Sequence, residues 1–256
     1  MGFSYGTDSV TSTVTAAPYV WQLIQAFYAQ FPQYENRDFG IFTESYGGHY
    51  GPEFADYFQE QNAKIASGSV NGENISLVAL GVNNGWFDAE IQELAYVDYS
   101  YNNTYKPLIS ATQRAQYTNV YNRQCKPALQ KCKTTGTNAD CRTADSTCYN
   151  GIEGPLSQSG DFNVYDIRAP ANDPNPPETY MTYLQSSSVM KAIGAQSKYQ
   201  ECPNAPYQKF SSTGDSEYAS TPCSPCGTNP FPRSSVLPEP AERRGQLRHP
   251  GGRLGR

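Results

Sequence analysis

Residues 41–54 read IFTESYGGHYGPEF, and the fold turns on what kind of bend carries Ser45. Just before it, Phe39-Gly40-Ile41-Phe42 is a short apolar run of the kind that a buried parallel strand shows. After it, from about Tyr50 to Ala66, Phe54, Tyr57, Phe58 and Ile65 recur at helical spacing, with Pro52 near the start and Gly68 and Gly72 as breakers. A serine between a strand and a helix, with Thr43 two residues before it and Gly47 two after, has the pattern of a nucleophile elbow. Strand and helix close on each other there, so those two neighbours must be small. A bare small-x-Ser-x-Gly match is as readily a plain turn. The flanking strand and helix give it weight.

Working outward, Thr13 to Tyr34 reads as an amphipathic helix on Val14, Ala17, Trp21, Ile24, Tyr28 and Phe31. Thr13 or Thr15 can cap it, Pro18 falls in its first turn, and Pro32 stops it. Residues 75–82, ISLVALGV, form the clearest strand, β-branched, continuous and closed by glycine. The order helix, strand, turn, helix, strand specifies an α/β domain with a parallel sheet. From Asp88 to about Gln130 the pattern is helical and rich in tyrosine. Residues 125–165, with four cysteines and many Thr, Asn and Gly, read as a disulfide-pinned insertion and not as sheet. A Pro-rich connection, DIRAPANDPNPPE, leads to a further helical run from Tyr180 to Ala192. From about residue 215 periodicity vanishes into Pro, Gly and Arg, which reads as disorder in 215–256.

The bulk numbers exclude several classes. A chain of 256 residues buries a sizeable core. Its 38% hydrophobic content, with 20 tyrosines, is that of a globular protein. A net charge of −5 argues against nucleic acid and anionic membranes as partners, and no apolar run approaches the roughly 20 residues of a membrane span. The first ten residues carry neither a basic start nor an apolar signal core, so no signal peptide is expected in the chain as it stands. Yet all seven cysteines fall after residue 124, and Asn74-Ile-Ser and Asn102-Asn-Thr are N-glycosylation sequons. Together they suggest an oxidising, secretory environment, with free buried thiols and chance sequons as the alternative. The odd cysteine count leaves one unpaired, and the pairing itself is not legible. Cys223-Ser-Pro-Cys226 has redox spacing, but lies in the unpatterned tail and is read as incidental.

An elbow assigns chemistry to its neighbours. The backbone N–H of Tyr46, at the helix start, can donate to a developing oxyanion. A carboxyl at Glu44, partly desolvated beside the reacting centre, could share a proton with a substrate's carboxylate, which favours acidic working pH. An exposed loop acid is the alternative.

Four blocks then carry a resemblance. GFSYG at 2–6, ESYGGHYGPEFADYF at 44–58, GVNNGWFDAEIQ at 81–92 and DIRAPANDPNPPETYMTYLQSSSVMKAIGA at 166–195 together resemble the serine carboxypeptidases, most closely the secreted or vacuolar enzymes of filamentous fungi. The resemblance implies a partial α/β-hydrolase fold over residues 1–214, a mostly parallel sheet with flanking helices, and a helical, Cys-rich insertion at about 95–165. It implies Ser45 as nucleophile, the Tyr46 amide as an oxyanion donor, Glu44 as the acid that recognises a peptide's C-terminal carboxyl group, and peptide C-termini as substrate. No cofactor and no metal are called for. Gly2-Phe3-Ser4-Tyr5 resembles the family segment leading into the first helix. Thr43 departs from the usual glycine, so the elbow is expected to hold with some added strain.

A serine nucleophile needs a histidine base and an acid to orient it. The chain has two histidines. His49, one helical turn after Ser45, is read as a packed helix residue, and His249 lies in the tail. The family match stops at about Asp215, in SSTGD, and it begins inside the family domain. The expectation is a fragment, truncated at both ends, as an incomplete or frame-shifted gene would produce, with little activity of its own. An inactive relic or binding protein of the same fold is the alternative, as is an acyltransferase or esterase on the same scaffold. Glu44 argues for the peptidase, because an esterase has no terminal carboxylate to recognise.

Overall fold

A computed structural model of the chain describes residues 2–6, 10–173 and 179–215. The helix expected at 13–34 is α1, Thr13–Gln30, followed by a 3-10 turn at Pro32–Tyr34 where Pro32 ends the regular helix. Its cap is Ser12 and not Thr13 or Thr15. The Ser12 hydroxyl accepts from the Thr15 amide, and the Thr15 hydroxyl closes a reciprocal capping box. Pro18 lies inside the helix rather than in its first turn.

Strand β1 (Asp38–Glu44) enters the elbow, and helix α2 (Gly47–Ala66) leaves it. The helix starts three residues earlier than the periodicity indicated. Gly68, at φ +75°, turns the chain out of α2 into β2 (Ser76–Asn83). The two strands pair in parallel from Asp38↔Ser76 to Glu44↔Asn83, with one irregularity after Phe39 that leaves Val78 unpaired. The strand–helix–strand order read from the sequence is thus the observed one.

The burial differs from the expectation. The continuous apolar run suggested a strand covered on both faces, but β1 alternates, with Phe39, Ile41 and Thr43 half-buried and Phe42 78% exposed. Among the described residues α1 and α2 cover one face only. There Tyr28, Phe58 and Ile75 are buried among Trp21, Ile24, Phe39, Ile41, Phe54 and Tyr57.

A second core lies in the helices around the two disulfides. They are α3 (Ala89–Tyr101), α4 (Ala111–Val120), α5 (Lys126–Thr135), α6 (Asn138–Cys148) and α7 (Gly154–Ser157). A single π-helical turn, Tyr121–Cys125, joins α4 to α5, and another, Tyr149–Glu153, joins α6 to α7. Disulfides Cys125–Cys148 and Cys132–Cys141 pin this hairpin, and all four sulfurs are buried with Val97, Leu129, Ala144 and Ile152. Such bridges remove loop-closure entropy from the unfolded chain. Cys202 is a free, exposed thiol, and Cys223 and Cys226 lie outside the described residues.

Three short helices follow: α8 (Thr179–Leu184), α9 (Ser187–Ala192) and α10 (Asn204–Ser211). The N-terminal GFSYG segment is tied to this region. Gly2 and Gln200 exchange two backbone hydrogen bonds, and the Ser197 hydroxyl donates to the Phe3 carbonyl at 2.6 Å. Of the segment expected to be disordered, only Asp215 is described. Residues 216–256, and His249 with them, lie outside the described residues.

Candidate active site

Ser45 has φ +58°, one of three non-glycine residues in the left-handed region among the described residues. That conformation costs an L-residue roughly 1–2 kcal/mol and persists only where the surroundings over-determine it. Three backbone hydrogen bonds do so here. The Ser45 N–H donates to the Asn83 carbonyl at 3.1 Å, which continues the β1–β2 ladder one residue past Glu44. The Ser45 carbonyl accepts from Gly48 N–H at 3.0 Å and from Trp86 N–H at 2.9 Å. The serine is exposed at the apex.

Strand and helix approach as closely as an elbow demands. A Cβ placed on Gly47 would lie 2.3 Å from the Thr43 Cβ, and one on Gly48 would lie 2.3 Å from the Trp86 carbonyl oxygen. Both contacts are far inside van der Waals range. Thr43 turns its position to use, since its hydroxyl donates to the Gly47 carbonyl at 2.8 Å and bridges the end of β1 to the first turn of α2.

The loop after β2 is itself fixed. Asn84 sits at φ +44°, and the Gln92 side chain closes the turn by accepting from the Phe87 and Asp88 amides while donating to the Gly85 carbonyl. This holds Trp86 against the elbow. His49 is 4% exposed, and its Nδ1 stands 2.6 Å from the Trp86 carbonyl oxygen. It packs flat against the Tyr46 ring, at 5.0 Å between centroids. It is the packed helix residue that the sequence suggested.

Tyr46 precedes the first residue of α2, and among the described residues its backbone N–H has no hydrogen-bond acceptor. Its hydroxyl donates to Asp215 Oδ2 at 2.6 Å. Asp215 is 3% exposed and also accepts from the Thr13 amide at 2.8 Å and the Thr13 hydroxyl at 2.6 Å. Burial, and then the Asp215 charge, raise the Tyr46 phenol far above its ordinary value. The same two causes push Tyr50 up to about 12.

Glu44 ends β1 with its side chain exposed, so the partly desolvated carboxyl expected there is not what the structure has. It rims an open depression of about 460 Å³ on the uncovered sheet face, lined also by Phe42, Thr43, Gly81, Val82 and Asn83. Glu44, Ser45 and Tyr46 are thus contiguous at the C-terminal end of the parallel strands, where α/β sheets place ligands. Asn74 lies at the other end of β2 and Asn102 caps the C-terminus of α3, and both are exposed. Sequence reading missed Trp86, Gln92 and Asp215. Trp86 acts through its backbone, and Asp215 acts across 169 and 202 residues, so neither leaves a local pattern.

Comparison with known proteins agrees with this geometry. The Peptidase_S10 profile, serine carboxypeptidase, matches residues 1–221. Carboxypeptidase S1 of Penicillium janthinellum is 66% identical over 215 residues, covering 84% of this chain and 51% of that protein. Carboxypeptidase Y of Schizosaccharomyces pombe is 35% identical over 211 residues, covering 78% and 21%. The chain therefore spans about half the length of the first relative and less of the second. Among solved structures, KEX1(delta)p, a prohormone-processing carboxypeptidase from Saccharomyces cerevisiae, matches with a TM-score of 0.61 at 18% identity, over 80% of this chain and 45% of that one. The likeness in structure shows the fold expected from the sequence, part of an α/β-hydrolase with a helical, disulfide-bearing insertion. The chain belongs to the serine carboxypeptidase family.

Proposed function

We propose that the site is that of a serine carboxypeptidase, which removes C-terminal residues from peptides through an acyl-enzyme on Ser45. The observation that carries this reading is the strained Ser45 at the strand-to-helix turn, clamped by Asn83, Gly48 and Trp86. Residues held in this sparsely populated region cluster at active sites, and glycine would adopt the conformation without the cost. In this role the Ser45 hydroxyl attacks the scissile carbonyl, the Tyr46 N–H donates to the oxyanion that forms, and Glu44 receives the substrate's terminal carboxyl group across the rim. The exposure of Glu44 suits a partner that arrives from solvent. Residues 1–214 form the hydrolase part in this reading, with the insertion at about 95–165. The paired cysteines and the exposed Asn74 and Asn102 support a secreted or vacuolar glycoprotein.

The chain by itself turns over peptide negligibly in this reading. His49 is buried and its Nδ1 is engaged by Trp86, which leaves the hydroxyl without a base from the elbow helix. Removing the base from a serine triad costs about 10⁶ in turnover. A fluorophosphonate probe tests both statements. Slow labelling confined to Ser45, accelerated by added imidazole and absent in Ser45→Ala, is expected. Labelling at the rate of an ordinary serine hydrolase would overturn the inactivity, and imidazole-assisted labelling that persists in Ser45→Ala would overturn the assignment of the nucleophile.

A further inference from the structure

The elbow is held from its front by the loop after β2, and a second hold comes from a part of the chain that local sequence does not connect to it. Asp215 sits in the turn after α10 and is buried to 3% exposure. Its two oxygens accept three hydrogen bonds, from the Thr13 amide and hydroxyl and from the Tyr46 hydroxyl. Every partner is a donor, which is what an ionised carboxyl needs when it leaves water. Thr13 is the first residue of α1, so the charge also faces the positive end of that helix. The neighbouring Thr213 reinforces the placement by donating from its hydroxyl to the Thr11 carbonyl at 2.8 Å.

The Tyr46 ring is consequently held at three points. Its hydroxyl is held by Asp215, one face lies on His49, and the edge of Phe210 from α10 closes the contact at 6.2 Å. Its backbone is the peptide that follows Ser45. A ring anchored in this way restrains the position of its own Cα, and so limits how far the peptide between Ser45 and Tyr46 can swing.

We propose that Asp215 is a positioning residue of the site: through the Tyr46 hydroxyl it sets the ring, and through the ring it sets the oxyanion-donating amide and the left-handed backbone of Ser45. The role rests on the reading of Tyr46 as oxyanion donor. It differs from capping α1 alone, because a cap protects Thr13 and leaves the elbow untouched.

Hydrogen exchange of the full chain, read by mass spectrometry on peptides covering 43–50 and 82–88, separates the two. Those peptides contain the Ser45 and Trp86 amides that clamp the elbow, and a peptide from α5 and α6 serves as internal reference. Asp215→Asn and Tyr46→Phe are each expected to speed exchange in the elbow peptides about tenfold relative to the reference, and the double variant no further. Imidazole-assisted labelling of Ser45 falls by a similar factor. Ser12→Ala, which removes the side-chain cap of α1, lowers the melting temperature but leaves the elbow peptides and the labelling unchanged. Tyr46→Phe deletes only a hydroxyl, so the comparison survives if Asp215→Asn does not fold. The proposal is overturned if the variants change exchange uniformly along the chain, or if Ser12→Ala reproduces them. Exchange needs no turnover, so a Ser45 that never labels refutes the proposed function and leaves this outcome readable.

Discussion

Gly47→Ala tests the closeness of strand and helix at the elbow most directly. The added methyl would lie 2.3 Å from the Thr43 Cβ and 2.7 Å from its hydroxyl oxygen, where ordinary contact begins at 3.4 Å. Strand β1 and helix α2 would have to part by about 1 Å, or Thr43 would have to abandon its rotamer and its hydrogen bond to the Gly47 carbonyl. Overpacking of this kind costs about 1–3 kcal/mol, and alanine in a helix returns about 0.5–1 kcal/mol over glycine. The net expectation is a loss of about 1 kcal/mol. Thr43→Gly alone loses one hydrogen bond and adds a flexible strand residue, about 1.5–2 kcal/mol together. In that background the clash is gone, so Gly47→Ala becomes stabilising by about 0.5–1 kcal/mol. The coupling between the two sites is then about 2 kcal/mol, read from urea unfolding of the four proteins followed by circular dichroism. Additivity within about 0.5 kcal/mol, or a neutral Gly47→Ala in the native background, refutes the contact and with it the elbow.

Ser45→Gly should be more stable than Ser45→Ala by about 1 kcal/mol, since both lose the hydroxyl but only glycine escapes the strain at φ +58°; equal melting temperatures would remove the strain argument. Replacing Cys125 and Cys148 together by serine should cost about 2–5 kcal/mol, and dithiothreitol should lower the stability of the parent by a similar amount. Tyr50, raised to about 12 in the folded chain, ionises first in the unfolded chain. Its contribution is therefore fully present below about pH 10 and fades as pH rises from 10 through 12. Tyr50→Phe should flatten that alkaline loss, and an unchanged pH profile counts against the burial of the phenol. In eukaryotic secretory expression, Asn74→Gln and Asn102→Gln should each lower the mass by one glycan, and a mass unaffected by either change would show the sequons unused.

The elements were legible because their causes are local. Apolar spacing placed α1 and α2, and β-branched continuity placed β2. The burial of the strands was not legible, because an apolar run records what a strand can bury and not what covers it. Phe42 and Val78 are exposed for that reason. The start of α2 was missed because Gly47-Gly48-His49 has poor helix propensity. Tertiary closeness decides there: those glycines are the only residues that fit against Thr43 and Trp86. The cap of α1 was displaced by one residue because the box uses Thr15 where Glu or Gln is usual. The π-helical turns left no signal in the sequence, and the Cys125–Cys148 pairing beside them is not given by spacing alone.

The site divides along the same line. Glu44, Ser45 and Tyr46 are neighbours in sequence, and the small residues around them could be read by counting. What keeps Ser45 strained comes from elsewhere, and its sufficiency can be judged by magnitude. The left-handed backbone costs roughly 1–2 kcal/mol. Each of the three hydrogen bonds to Ser45, from Gly48, from Trp86 and to Asn83, contributes about 0.5–1.5 kcal/mol. At the middle of these ranges two bonds, about 2 kcal/mol, offset a strain of about 1.5 kcal/mol and one bond does not. The third bond is therefore what makes the conformation robust to a single substitution, and the Asp215–Tyr46 contact adds a hold from the opposite side. It follows that the loop after β2 and the turn after α10 act on Ser45 independently. Loosening either alone should weaken the hold on the serine, as the faster exchange expected of Asp215→Asn requires, whereas loosening both should let it relax to ordinary backbone and erase the elbow.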